Sequence, residues 1–347
     1  MRQYVQAFVL ALTVAYFLTP LVRRFAIRIG ALDKPIERSV HREPKPYLGG
    51  LAIYVAFALA AASIVGLRDP LVRGVIVGGG LIVVIGIVDD LLRLSAKVKL
   101  IGQIAAAAIL VAYGIRIDFL TNPFGDGMIF TEGWAIPLTM FWVVAVVNVV
   151  NLIDGLDGLA AGISTIASLT LLFVALQQGG QVEIVLLTAA LAGSALGFLP
   201  YNFNPAKIFM GDAGAMFLGY ALAAVSIQGT LKSAAGLALA IPVLALGLPI
   251  FDTAFAIVRR AINGQPIHEA DRNHLHHRLM KLGLSHRETV LVMYIISAWL
   301  GLSAIAMSGM SLIASLTLLG FVTSALVLGA KKVGVLQVRG SGKDLRH

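Results

Sequence analysis

The chain has 347 residues, of which 58% are hydrophobic and only 13% charged, with a mean hydropathy of +0.88 and a net charge of +9. A soluble domain carries about 25% charged residues, so a soluble globular protein does not fit, and the apolar content excludes disorder. Cysteine is absent, which excludes disulfides, thiol nucleophiles and thiolate metal sites.

Apolar runs of about 18–22 residues recur from end to end, the length at which a helix crosses a bilayer. No alternation of the barrel type is present, so helices are the available spanning structure. In chain order the expected spans are 4–23, 48–67, 71–88, 100–116, 134–152, 159–177, 182–200, 213–231, 234–257, 288–307 and 310–330. The first is followed by Arg23, Arg24 and Arg28 with no small-residue cleavage site before them. It therefore reads as an uncleaved helix rather than a signal peptide. The second and third spans divide at Arg68-Asp69-Pro70, and the eighth and ninth between Gly229 and Ser233.

Lys and Arg set the expected orientation. They gather in alternate loops: Arg23, Arg24, Arg28, Lys34, Arg38, Arg42 and Lys45 in the first; Arg93, Lys97 and Lys99 in the third; Lys207 in the seventh; and six in the ninth. Five more lie in the tail, against Arg2, Arg68, Arg73, Arg116 and Lys232 on the other side. Segments of about 24–47, 89–99, 153–158, 201–212 and 258–287 are thus expected on the cytoplasmic face. Residues 1–330 read as a single integral-membrane domain and 331–347 as a basic cytoplasmic tail. The fold class is an all-α polytopic membrane protein of about eleven transmembrane helices in the inner (plasma) membrane. Its N-terminus is outside and its C-terminus cytoplasmic. The charge of +9 then lies on one face, an orientation signal rather than a nucleic-acid footprint.

Acids near membrane depth are costly and read as functional. Asp89 and Asp90 end the third span, where two carboxylates repel each other and oppose the helix dipole. The segment NVVNLIDGLDGL carries Asn148, Asn151, Asp154 and Asp157 at intervals of three. Such spacing spreads over half a straight helix, so Gly155 and Gly158 suggest that the helix ends near Asp154. An N-cap role for Asp157 explains only part of this set. NFNPAKIFMGDAG puts Asp212 between glycines at the start of the eighth span, where free N–H groups suit an anion. Phe209 is either membrane packing or a stacking surface. DRNHLHHRL holds Arg272, His274, His276 and His277; phosphate suits it better than zinc, for which no fourth ligand is apparent. Asp252 reads equally as a helix-packing group or a functional one. Together these residues point to metal-dependent chemistry on a phosphorylated substrate at the inner membrane face, with Mg²⁺ as the natural partner of carboxylates and phosphates.

The stretches HREPKPYLGGLAIY, GIVDDLLRLSAKVKLIGQ, NVVNLIDGLDGLAAG, YNFNPAKIFMGDAG and DRNHLHHRLMKLGLSHRETV, in this order, resemble the polyprenyl-phosphate N-acetylhexosamine-1-phosphate transferase superfamily. The likeness covers about residues 1–330 and is nearest to the bacterial branch using UDP-N-acetylglucosamine. It implies transfer of N-acetylglucosamine 1-phosphate to undecaprenyl (polyprenyl) phosphate, with release of UMP. Asp89 and Asp90 would be the catalytic centre, with Asp89 the base towards the lipid phosphate or the site of a covalent phospho-intermediate. Asp212, Asp90 and Asp154 would hold Mg²⁺, or Mn²⁺ in its place. Asn148, Asn151, Asp154 and Asp157 would serve the nucleotide pocket, and Phe209 would stack on uracil. Arg272, His274, His276 and His277 would hold the sugar diphosphate, and Lys99, Lys45 and His41 the lipid phosphate. The expected partners are UDP-N-acetylglucosamine, the polyprenyl phosphate and the bilayer, with no nucleic acid; a homodimer is an open expectation. The rival readings are a phospho-N-acetylmuramoyl-pentapeptide transferase and, from another class, a cation-coupled transporter, whose acids belong nearer the bilayer midplane.

Overall fold

A computed structural model describes residues 2–33, 44–121, 128–229, 240–262, 264 and 274–334. The helices are α1 (Arg2–Arg28), α2 (Gly49–Ile64), α3 (Pro70–Leu92), α4 (Ala96–Ala112), α5 (Ala135–Ile153), α6 (Leu159–Gln177), α7 (Val182–Asn202), α8 (Gly211–Gly229), α9 (Ala240–Ala245), α10 (Gly247–Ile262), α11 (Leu275–Lys281), α12 (His286–Met307) and α13 (Leu312–Val333). Two short antiparallel pairs complete it: β1 (Leu32–Asp33) with β2 (Lys45–Pro46), and β3 (Phe119–Thr121) with β4 (Met128–Phe130). The chain is an all-α polytopic membrane protein. Seven of the described helices are long and apolar enough to cross a bilayer, and α2 is a shorter apolar one. Large apolar side chains such as Phe17, Phe141, Ile295 and Ile313 stand at least two-thirds exposed on the outside of the bundle, a surface that suits lipid and not water.

Each expected span overlaps a helix, and side-chain caps explain three of the starts. Asp69 caps α3 by accepting from Val72 N at 3.0 Å, with Pro70 in the first turn, a position where its missing N–H costs nothing. Ser95 caps α4, and Ser285 with Glu288 forms a reciprocal capping box on α12. The ninth apolar run, expected as one helix over 234–257, is divided. Its described part is α9 followed by α10, with Leu246 between them and Gly247 and Pro249 opening the second piece. Pro249 cannot donate to a preceding turn, which favours a break there. The polar segment after α10 contains α11, which has no counterpart among the expected helices.

Small residues set the packing. α1 buries Ala7, Ala11, Ala15 and Thr19, one per turn, against α7. A Cβ at Gly193 or Gly197 of α7 would strike the main chain of Phe8 or Leu12. This is the small-residue interface that lets membrane helices approach closely. At the centre stands α8, buried on all faces and packed by α2, α3, α5, α6 and α7. Added Cβ atoms would strike the main chain of Gly214 from Gly50 and of Ala213 from Gly86. So α2 and α3 meet the first turn of α8 backbone to backbone, which carries the end of α3 to the start of α8.

Candidate active site

That apposition places Asp90 at the N-terminus of α8. Asp90 Oδ1 accepts from Asp212 N at 2.9 Å, and the Ala213 N–H also bonds the carboxylate. The free N–H groups expected to face an outside anion are therefore taken by Asp90, a favourable position for a negative charge. Gly211 adopts φ +72°, and a Cβ there would collide with the Asp90 carboxylate. Only glycine serves both demands.

Asp89 turns the other way. Its Oδ1 accepts from Leu94 N at 2.7 Å, and its Oδ2 lies 2.8 Å from Lys99 Nζ. The same ammonium reaches Asp212 Oδ2 at 2.8 Å. Lys99, one turn into α4, thus bridges the acids of α3 and α8. Asn151 Nδ2 stands 3.5 Å from the same Asp212 oxygen.

α5 ends at Ile153, and Asp154 is its C-cap, so the helix stops where the glycines suggested. Asp154 is recessed in the cavity, and burial, with Asp212, Asp90 and Asp157 around it, pushes its pKa up to about 8. Asp157 does not cap α6, whose N-cap is Gly158 at φ +82°. Instead Asp157 Oδ2 accepts from Asn204 Nδ2 at 3.1 Å and Ala206 N at 2.9 Å, holding the loop between α7 and α8. Lys45 Nζ lies 3.7 Å from the same oxygen and 5.3 Å from the centre of the Phe209 ring. Lys45 arrives there because β2 is stitched inward: Phe209 N donates to Pro46 O at 2.8 Å, and Gly49 N to Phe209 O at 3.0 Å.

The histidines come from the other side. Asp252, buried on α10, accepts Leu275 N at 2.8 Å and pairs with His274 Nδ1 at 2.9 Å. This fastens α11 to α10 and directs His276 at the Asp154–Asp157 turn, where a Cβ on Gly155 would come within 3.0 Å of His276 Nε2. Burial, reinforced by His277, drives the His276 pKa down to about 4.

The resulting cavity of about 910 Å³ is lined by Asp89, Asp90, Asp154, Asp157, Asp212, Lys45, Phe209, His276 and His277, a size suited to a nucleotide sugar. Asn148 is not in its wall: its Nδ2 donates to Gln103 Oε1 at 2.7 Å, between α5 and α4. His274 is turned to Asp252, behind the wall. His41 and Arg272 fall outside the described residues. Asp33, Tyr47, Arg93, Asn204 and His286 also line the cavity without having been singled out. Asn204 and His286 lie inside motifs already quoted; Asp33 comes in through the β1–β2 pairing, which no local pattern announces.

The acids fit a hard divalent cation that keeps open positions. Asp90 Oδ2 is buried with no hydrogen-bond partner, an expensive state for a carboxylate oxygen. Among the described residues no three side chains form a ready metal cage. One or two carboxylates completed by substrate phosphates is the pattern of Mg²⁺.

The model of glycosyl transferase family 4 matches residues 72–230. Over 317 residues the chain is 43% identical to a Bacillus subtilis protein named "Probable undecaprenyl-phosphate N-acetylglucosaminyl 1-phosphate transferase", covering 91% of this chain and 88% of that one. It is 38% identical to a decaprenyl-phosphate N-acetylglucosaminephosphotransferase of Mycolicibacterium smegmatis, covering 85% of this chain and 79% of the relative. It is 26% identical to the undecaprenyl-phosphate alpha-N-acetylglucosaminyl 1-phosphate transferase of Yersinia pestis, covering 81% and 78%.

Proposed function

This chain belongs to glycosyl transferase family 4, and from that premise we propose that it transfers N-acetylglucosamine 1-phosphate from UDP-N-acetylglucosamine to a polyprenyl phosphate. The products are polyprenyl-diphospho-N-acetylglucosamine and UMP. The observation that carries the reading is the single ammonium of Lys99 between Asp89 and Asp212, at the edge of a cavity large enough for the donor. An ammonium between two acids can also take an incoming phosphate, and phosphoryl transfer relies on such positioning and charge neutralisation.

In this reading an oxygen of the lipid phosphate attacks the sugar-bearing phosphorus, and UMP leaves. Asp89 takes the proton of the acceptor phosphate, and Lys99 and Lys45 hold that phosphate, with His41. Asp212, Asp90 and Asp154 would hold Mg²⁺, with Mn²⁺ an alternative, and the bound ion would supply charge neutralisation for the diphosphate. Phe209 stacks on uracil, and Asn151 and Asp157 order the walls around the nucleotide. Arg272, His276 and His277 bind the sugar diphosphate, and Asp252 holds His274 and α11 so that they can.

The gathering of the acids at helix ends at one end of the bundle supports an enzyme over a transporter with a midplane site. The distribution of Lys and Arg supports an eleven-span topology with the active site on the cytoplasmic face, so a C-terminal reporter should be cytoplasmic; a periplasmic signal would break that count. The test of the donor is direct. Purified protein offered UDP-N-acetylglucosamine or UDP-N-acetylmuramoyl-pentapeptide should release UMP from the first. Preference for the pentapeptide donor would assign the chain to the rival transferase.

A further inference from the structure

Behind the Asn204–Pro205 wall of the cavity lies a second hollow, a crease of about 490 Å³ between the end of α7 and α12. Its lining is apolar, from Leu196, Leu199, Pro200, Phe203 and the Tyr294 ring, with Lys207 at its edge. On α1 and α12, which carry Arg23 and Tyr294, Leu21, Leu291 and Ile295 are 57%, 49% and 69% exposed, apolar side chains that suit lipid. Three exposed cations ring it: Arg23 from α1, Lys207, and Arg287 from the first turn of α12.

These cations are not spent on acids. Arg23 Nε donates to Lys207 O at 3.1 Å, and Arg287 Nε to Asn204 O at 3.0 Å. Each guanidinium therefore keeps further N–H donors. Lys207 Nζ stands 6.0 Å from the Tyr201 ring. Among the described residues none of the three forms an ion pair with a carboxylate. A slot that accepts hydrocarbon, rimmed by unneutralised cations at the end of the helices, is complementary to a ligand with an acyl chain and an anionic head.

We propose that this crease binds an anionic phospholipid, with its head group on Arg23, Lys207 and Arg287 and part of a chain against Leu199 and Phe203. The position matters, because the two arginines grip the outer side of the Phe203–Lys207 loop while its inner side holds Asp157 through Asn204 and Ala206. A bound head group steadies the loop that braces the cavity.

The inference needs only the chain's place in a membrane, and its test reads lipid retention rather than turnover. The full-length protein is placed in nanodiscs of phosphatidylcholine with phosphatidylglycerol, released into detergent and weighed by native mass spectrometry. Phosphatidylglycerol should be retained in preference to phosphatidylcholine. Lys207→Gln removes a charge without touching a main-chain bond and should lower that retention about fivefold, the worth of one basic residue at an anionic surface. Leu199→Trp, which fills the crease and keeps the charge, should lower it too. Lys331→Gln, an exposed cation at the far end of α13, should not. Equal retention of both lipids, or the same loss in Lys331→Gln as in Lys207→Gln, overturns the proposal. Displacement of the phospholipid by equimolar polyprenyl phosphate also overturns it, since the crease would then belong to the acceptor.

Discussion

The two walls of the cavity are built by different means. The acidic wall, from α3, α5 and α8, is fixed by main chain meeting main chain, at Gly86 against Ala213 and at Gly219 against Val147, with Gly50 of α2 against Gly214. The histidine wall is α11, packed on α12 with Leu279 buried and tied to the buried carboxylate of Asp252 by two hydrogen bonds, to His274 and Leu275. Backbone apposition is rigid and all-or-none, because close-packed interiors do not yield continuously. A side-chain tether is graded and can be loosened without unfolding the bundle. The acids that must sit close together are on the first kind of support, and the groups assigned to the donor's sugar end are on the second.

Breaking the first support should cost most. Gly86→Val drives a side chain into the Ala213 main chain and should cost about 3 kcal/mol or more. The expected outcome is loss of monodisperse protein on gel filtration; a normal elution profile would show that the wall is softer than described. Removing chemistry while leaving the wall comes next. Asp89→Asn should lower UMP release by a factor of about 100 to 10 000, the usual worth of a proton-transfer group. UDP-N-acetylglucosamine binding should remain measurable by calorimetry, and wild-type turnover would take Asp89 out of the mechanism.

Loosening the second support should do less. Asp252→Asn keeps the shape but weakens both tethers, and a hydrogen bond to a charged group is worth about 1.5–3 kcal/mol. The expected result is a rise of about tenfold or more in KM for the nucleotide sugar, with a smaller change in kcat. An equal fall in kcat alone would place Asp252 in the chemistry rather than the scaffold. The smallest effect is one of pH. His276 is held neutral by burial, with a pKa of about 4, whereas an unfolded histidine takes a proton near 6.5. Below 6.5 the unfolded chain therefore binds a proton that the folded chain refuses. The stability tied to His276 is complete above pH 6.5 and drains away as the pH falls towards 4. His276→Phe should flatten that part of the Tm-against-pH curve, and an unchanged slope would show that His276 is not so enclosed.

The same contrast explains what could be read from the sequence. Each bilayer-length apolar run overlaps a helix, because burial in lipid demands little more than composition and length, but the break between α9 and α10 and the short α11 were not marked by such runs. The end of α5 at Asp154 was legible from Gly155 and Gly158, whereas the meeting of the Asp89-Asp90 and Asp212 segments rests on the close approach of Gly86 to Ala213, which no local pattern announced. Tertiary hydrogen bonding was not legible. Nothing near Asn148 announces Gln103, nothing near His274 announces Asp252, and Asp157 looks like a helix cap until Asn204 and Ala206 claim it. The inward path of β2, which delivers Lys45 to Asp157, likewise depends on pairing with a segment more than 150 residues away.

The most direct test is to follow UMP release by the purified protein from UDP-N-acetylglucosamine, adding polyprenyl phosphate and Mg²⁺ separately and together. UMP should appear only when both are present. Release without the lipid, or none with lipid and metal together, would contradict the transferase reading.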